Sequence, residues 1–244
     1  MDRLLVCDID GTFAGEAEAA AKLLRQLRLP GAPVLAYATG RQSYSATSAI
    51  AEYDIDQGSY LISGVGSEIY RRVGGHWFPM ATWPRLSAPW DDARIRLALR
   101  SVGSLVPQAV AVESPYKLSY VAPPSAVDEV RARLAQIGVE ATITHSHGEL
   151  LDVLPAGIDK GSAVAWLADS LGIPLERVMT CGNSANDTAM LRLACPSVVV
   201  SGSEAELLAE APDLPQTFVA PSDCAWGILD GLRHFGWWDG TAWR

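Results

Sequence analysis

Leu4-Leu5-Val6-Cys7-Asp8-Ile9-Asp10-Gly11-Thr12 is the stretch on which the fold turns. Its apolar run reads as a strand buried on both faces, the kind that parallel α/β sheets use. It ends in two carboxylates, and Gly11 lets the backbone turn away at once. Open α/β sheets place their chemistry at this edge. Two acids so close repel, so the pair is costly unless a cation lies between them or one holds a proton.

Outward from that stretch, the same arrangement recurs. The apolar run Val34 to Ala38 ends in Thr39-Gly40-Arg41, and Val178 to Cys181 ends in Gly182-Asn183-Ser184-Ala185-Asn186-Asp187. Lys160 follows a turn and opens the helical pattern Gly161 to Leu171. Each polar group stands at the end of an apolar run or at a helix start.

The alternation predicts strands at 4–8, 34–38 and 60–63 with helices at 16–27 and 42–53, hence a parallel sheet covered on both faces. Glu68–Arg72 reads as a short strand in a hairpin through Gly74-Gly75. Pro79, Pro84 and Pro89, interleaved with Trp83 and Trp90, mark a crossing between domains. Beyond it come a helix at 91–103, a strand at 116–121, a helix at 124–137 and strands at 139–144 and 150–154, which suit a small α/β cap. Helices at 161–171, 187–193, 203–210 and 222–234 and strands at 177–181 and 197–200 return to the first sheet. The expected architecture is α/β: a doubly wound, mostly parallel, Rossmann-like core (1–82 and 155–244) with an inserted smaller α/β cap (83–154). The Trp-rich tail, Trp237-Trp238 to Trp243, reads as a plug over the core or a self-association contact.

With 244 residues and 49% apolar composition, the chain can bury a sizeable core. A net charge of −9 argues against a nucleic-acid partner, whose phosphates call for basic patches. It does not exclude a small anionic substrate held by a local cationic cluster. No run approaches the length of a membrane span or the pattern of a signal peptide. Cys7, Cys181, Cys195 and Cys224 lack C-x-x-C pairing and read as buried thiols, which suits a reducing cytoplasm. Nothing in the sequence calls for an oligomer, so a monomer is expected.

Taken together and in this order, the carboxylate pair, the Thr39 hydroxyl, Lys160 and the acidic loop resemble the haloacid dehalogenase superfamily of phosphohydrolases over essentially the whole chain. Leu35 to Arg41, Val65-Gly66-Ser67-Glu68-Ile69-Tyr70, Tyr116-Lys117-Leu118-Ser119-Tyr120, Asp152-Val153-Leu154-Pro155 and Cys181 to Ser184 resemble the sucrose-phosphate phosphatase family within it. The resemblance implies Mg²⁺-dependent hydrolysis of a phosphorylated sugar, sucrose 6-phosphate or a related disaccharide phosphate. The alternatives are a glycoside or monosaccharide phosphate as substrate, or a catalytically weak module that docks on a glycosyltransferase.

The chemistry assigns roles consistent with this. A carboxylate nucleophile, Asp8, splits a slow hydrolysis into two steps through an aspartyl-phosphate. Asp10, two residues on, faces the same pocket and shuttles the proton, a role that neighbouring anions assist by keeping it partly protonated. Thr39, Gly40 and Lys160 supply donors and charge to the phosphoryl oxygens. The resemblance implies Mg²⁺ bound by Asp8, the carbonyl of Asp10 and position 183. There the family carries Asp and this chain has Asn183, a neutral and weaker ligand. Asp187 could ligate directly, ligate through water, or orient Lys160. Ser201-Gly202-Ser203 departs from the family too, and a helix cap is its plainer reading. Lys117, in an apolar run, and the polar turn with His147 and Glu149 are the candidates for reading the sugar, against the plainer reading of a surface hairpin.

Overall fold

The opening run becomes β1 (Leu4–Cys7), with no exposed surface at any position. A computed structural model describes residues 3–109 and 114–244. After β1 come α1 (Ala17–Leu27), β2 (Val34–Ala38), α2 (Ser43–Glu52) and β3 (Tyr60–Ser63). A tight turn at Gly64–Gly66 leads into the hairpin β4 (Glu68–Val73) and β5 (His76–Pro79).

The inserted segment holds α3 (Asp92–Leu99), β6 (Val106–Pro107), β7 (Leu118–Val121), α4 (Ala126–Gln136), β8 (Ala141–Ser146) and β9 (Leu150–Pro155). The chain then returns through α5 (Lys160–Ser170), β10 (Val178–Gly182), α6 (Thr188–Leu191), β11 (Ser197–Val199), α7 (Ala205–Glu210), β12 (Thr217–Val219) and α8 (Cys224–His234).

The core sheet runs β12-β11-β10-β1-β2-β3-β4-β5, parallel from β12 to β3 and antiparallel through the hairpin. β1 lies between β2 and β10, where the order of connections reverses. That is the switch point at which ligands bind in open α/β sheets. Alternation along β1 explains its unbroken apolar character. Leu5 and Cys7 pack with Leu23 of α1 and Ile228 of α8, whereas Leu4 and Val6 pack with Val164 and Leu167 of α5.

The cap sheet is wholly antiparallel, in the order β6-β7-β9-β8. Leu151 and Val153 of β9 join a separate hydrophobic cluster with Ile95 of α3 and Val130 of α4. Leu150 and Asp152, alternating with them, face the cavity that Asp8 also lines.

Several elements differ from the sequence expectation. β6 and β12 were not anticipated, because they are two and three residues long at sheet edges. α3 stops at Leu99, four residues short. Lys117 stands just before β7 rather than inside it. β8 extends through His145 and Ser146, because register with β9 pairs them with Leu151 and Leu150. The polar turn thus shrinks to His147-Gly148-Glu149, a three-residue hairpin loop whose first two residues take positive φ (53° and 70°). β9 reaches Pro155, one residue past the expected cap boundary.

Trp83 packs on Trp166 with ring centroids 5.5 Å apart and donates its indole N–H to the Gly66 carbonyl, so it serves the crossing. The tail does act as a plug. Trp237 and Trp238 are buried against the core, and Trp243 donates to the Gln26 carbonyl. All four cysteines are buried and free. No helix among the described residues is long and apolar enough to cross a membrane.

Candidate functional site

The backbone N–H of Asp8 donates to the Cys181 carbonyl at 2.9 Å, continuing the parallel ladder one residue past β1. Its side chain is almost wholly buried at the strand end. The amides of Phe13 and Ala14 fold back onto the carbonyls of Asp8 and Ile9. Gly11 makes that reversal at φ +72°, a conformation that residues other than glycine rarely adopt, and the Asn183 side chain packs against it.

Lys160 is completely buried behind Asp8. Two close approaches bring it there. A Cβ on Gly66 would stand 2.1 Å from the Asp159 carbonyl oxygen, and one on Gly161 would stand 2.4 Å from that of Ala189. Asp159 and Ser162 form a reciprocal capping box that fixes the start of α5. Lys160 Nζ donates to Asp8 Oδ1 (2.8 Å) and Asp187 Oδ1 (2.5 Å). Burial opposes its charge, but the two carboxylates outweigh it and raise its pKa.

Asp187 is also fully buried, and both its oxygens are engaged. Oδ2 accepts from the backbone N–H groups of Asn183 (2.9 Å) and Ser184 (3.0 Å). Of the roles open to Asp187 in the sequence, this geometry matches the orienting of Lys160 and of the 183–187 loop.

Burial pushes the Asp8 carboxyl up to about 7; Lys160 pulls it down, while Asp187 and Asp10 push it further up. Asp8 and Asp187 thus share Lys160 as their cation. Asn183 Oδ1 is buried and accepts no hydrogen bond. Among the described residues, no group of three or more His, Cys, Asp or Glu side chains is placed to hold a metal. A hard cation here would rest on carboxylate, carbonyl and amide oxygens together. An orphaned amide oxygen beside a buried carboxylate fits such an ion.

Asp10 departs from the expectation that it is partly protonated. Arg41 grips both its oxygens, Nε to Oδ2 at 2.7 Å and Nη2 to Oδ1 at 2.8 Å, and Tyr53 adds a bond at 3.3 Å. Burial raises its pKa, but the hydrogen bonds and charge of Arg41 prevail and lower it. Arg41 was present in the quoted Thr39-Gly40-Arg41 run. Its partner lies 31 residues away, so the pairing had no local signal.

Thr39 and Gly40 stand at the end of β2 and line the cavity with Asp8 and Asp10. Thr39 Oγ1 accepts from the Arg41 N–H at 3.1 Å, which leaves its own hydrogen to donate. The cavity holds about 500 Å³, within the usual range for small-molecule sites. The core contributes Gln42 and Asn186, each with a buried side-chain oxygen that lacks a partner. Neither was singled out in the sequence.

From the cap, Lys117 and His147 reach the cavity, whereas Glu149 does not line it. Lys117 Nζ lies 2.9 Å from Asp152 Oδ1 and donates to the Gly40 carbonyl at 2.8 Å, joining cap to core. Asp152 and Lys117 are both buried. Replacing Lys117 by Met should therefore cost about 3 kcal/mol of stability, because Asp152 is left as an uncompensated buried charge. Chemical denaturation checks this, and a loss below 0.5 kcal/mol would show that water already solvates Asp152. The Ser201-Gly202-Ser203 segment caps nothing. The N-cap of α7 is Glu204, without a side-chain cap bond, and Ser203 Oγ donates to the Val200 carbonyl.

Residues 1–236 match the family model described as sucrose-6F-phosphate phosphohydrolase. The chain is 29% identical to the mannosylfructose-phosphate phosphatase of Agrobacterium fabrum, covering 96% of this chain and 97% of that protein. It is 28% identical to sucrose-phosphatase 1 of Nicotiana tabacum over 83% of its own length and half of that protein. The crystal structure of a sucrose-phosphatase from Synechocystis sp. PCC6803, in complex with sucrose and phosphate, superposes with a TM-score of 0.88 at 29% identity, covering 96% of this chain and 98% of that one. A subclass IIB sugar phosphatase of the haloacid dehalogenase superfamily shares the fold at 18% identity, with a TM-score of 0.72 over 96% of this chain and 99% of that one.

Proposed function

Because the chain belongs to the sucrose-6F-phosphate phosphohydrolase family, and so is a phosphohydrolase of sugar phosphates, we propose that its substrate is a phosphorylated disaccharide, sucrose 6-phosphate or a close relative. The observation that carries this reading is the cavity. Its floor is Asp8 and Asp10, and its roof is the polar cap surface around Lys117, Ser146 and His147. A phosphoryl group on the floor leaves the remaining volume for sugar. Mannosylfructose phosphate and sucrose phosphate, the substrates named for two relatives, are both disaccharide phosphates.

In this reading an oxygen of Asp8 attacks phosphorus and the bond to the sugar oxygen breaks, giving an aspartyl-phosphate. Thr39, the Gly40 N–H and the remaining hydrogen of Lys160 Nζ receive the phosphoryl oxygens. Asp10 gives its proton to the departing sugar oxygen and takes one from the water that cleaves the intermediate. Arg41 must release Asp10 first, since its grip holds the carboxylate ionised, and the freed carboxylate then takes up from solvent the proton it donates. The incoming phosphate offers the guanidinium another anion. Mg²⁺, on which the superfamily generally depends, would be held by Asp8, the Asp10 carbonyl and Asn183, and would neutralise the phosphoryl charge.

A second reading is a weakly catalytic module that docks on a glycosyltransferase. It is favoured by Asn183 and by 27% identity to 31% of the length of a glucosylglycerol-phosphate synthase from Pseudomonas anguilliseptica. Phosphate release from a panel of sugar phosphates, with and without Mg²⁺, separates the two. The disaccharide reading fails if disaccharide phosphates are not preferred over monosaccharide phosphates. Buried thiols support a reducing, cytoplasmic setting, and a monomer suffices to form the cavity.

Asn183→Asp should lower the Mg²⁺ concentration for half-maximal activity by roughly tenfold, since a carboxylate replaces a neutral oxygen at a hard cation. An unchanged Mg²⁺ titration would remove position 183 from the metal's ligands. Activity seen only in the variant would favour the docking module.

A further inference from the structure

Glu204 belongs to none of the motifs above, yet its carboxylate joins the two halves of the site. Oε1 accepts from the backbone N–H of His147 at 2.8 Å and lies 2.9 Å from Nδ1 of the same residue. Oε2 accepts from the backbone N–H of Ala185 at 2.9 Å. Its own N–H donates to the Asn183 carbonyl at 2.8 Å. One side chain thus holds the tip of the β8–β9 hairpin and the first turn of the loop that carries Asn183, Asn186 and Asp187.

We propose that Glu204 is a positioning residue that ties the sugar-facing hairpin of the cap to the Asn183 loop of the core, so that the two close over substrate as one unit. The inference rests on the phosphatase reading of the cavity. His147 needs such a tether. Its side chain is about half exposed, it sits at φ 53°, and its neighbour Gly148 meets nothing within 4 Å of where a Cβ would lie. A second tie to the core runs from Asn186 Nδ2 to the Ser146 hydroxyl at the end of β8, at a long 3.4 Å. Glu204 is itself only 19% exposed at the side chain, which shields its hydrogen bonds from water. Bonds to a charged acceptor are about twice as strong as neutral ones. The 183–187 loop is shaped from within by Asp187, and among the described residues the Glu204 carboxylate links it to the cap turn.

The experiment uses the full chain, with Glu204→Ala, Glu204→Gln, His147→Ala and the double variant Glu204→Ala/His147→Ala. Sucrose 6-phosphate and p-nitrophenyl phosphate are the substrates, and amide hydrogen exchange of the substrate-free protein is followed in parallel. The expected result has three parts. Glu204→Ala raises KM for the sugar phosphate at least tenfold more than for the aryl phosphate. His147→Ala adds nothing further to that KM in the double variant. The amides of both His147 and Ala185 exchange at least tenfold faster in Glu204→Ala, with Glu204→Gln intermediate because it keeps one acceptor. Equal losses on both substrates, additive effects, or faster exchange in only one of the two loops would overturn the inference. A wild-type protein that releases no phosphate from sugar phosphates would instead sink the proposed function, and hydrogen exchange would still decide whether Glu204 couples the loops.

Discussion

Asp8→Asn is expected to abolish phosphate release while leaving the protein folded. The substitution is isosteric, and the ladder bond from the position 8 N–H to Cys181 does not involve the side chain. The amide oxygen can still accept from Lys160 Nζ, which stands 2.8 Å from Asp8 Oδ1. What is lost is the anionic oxygen that, in the proposed mechanism, attacks phosphorus. An amide is too poor a nucleophile to form the acyl-phosphate, so the loss in kcat should be roughly 10⁴-fold or more, as for other essential nucleophiles. Phosphate release under saturating sugar phosphate and Mg²⁺, with circular dichroism as a fold control, measures it. Turnover within tenfold of wild type would remove Asp8 from the role of nucleophile and shift attention to Asp10.

Lys160→Met carries the second large effect, and it strikes stability and activity together. Lys160 Nζ is the cation between two buried carboxylates, at 2.8 Å from Asp8 and 2.5 Å from Asp187, with no solvent to replace it. Removing one partner of a buried ion pair costs about 3–5 kcal/mol, because the remaining charge is left uncompensated. Asp8 loses both the charge and the hydrogen bond that pull its pKa down, so its carboxyl becomes more protonated near neutrality. In the proposed mechanism the phosphoryl group loses a donor as well, a change that costs roughly 10²–10³ in kcat in comparable sites. Denaturation curves and phosphate release, both as a function of Mg²⁺, test the two halves separately. A variant as stable as wild type would show that Asp187 and Asp8 are protonated or hydrated without the lysine. Unaltered kcat would place the phosphoryl group away from Nζ.

The doubly wound sheet and the positions of Asp8, Thr39, Lys160 and Asp187 were legible in the sequence. Each lies where a long apolar run stops or a helix begins, and in a parallel sheet those ends converge whatever the details of packing. Val34 to Ala38 and Val178 to Gly182 pair with β1 in register, so the ends of the three runs meet. The Asn183 departure was legible too, because it is a change of residue type within a recognisable run.

The rest depended on contacts between distant segments. Nothing local in Asp10 or Arg41 says that a guanidinium 31 residues away holds the carboxylate ionised, which reversed the expected bias toward protonation. Glu149 and His147 are near neighbours in one polar turn, yet only His147 lines the cavity, because the hairpin register and two positive-φ residues set which way the turn presents its side chains. Lys117 was readable as a buried charge, but its partners Asp152 and Gly40 are the product of the cap folding onto the core. β6 and β12 leave no mark in the sequence, because two or three residues carry no period and only pairing with an existing edge makes them strands. The sequence by itself determined which chemical groups this protein carries and at which sheet edge they gather, since hydrophobic periodicity is local. Which of those groups are ionised, paired or open to substrate was decided by tertiary structure alone, because burial and electrostatics act between residues that meet only after folding.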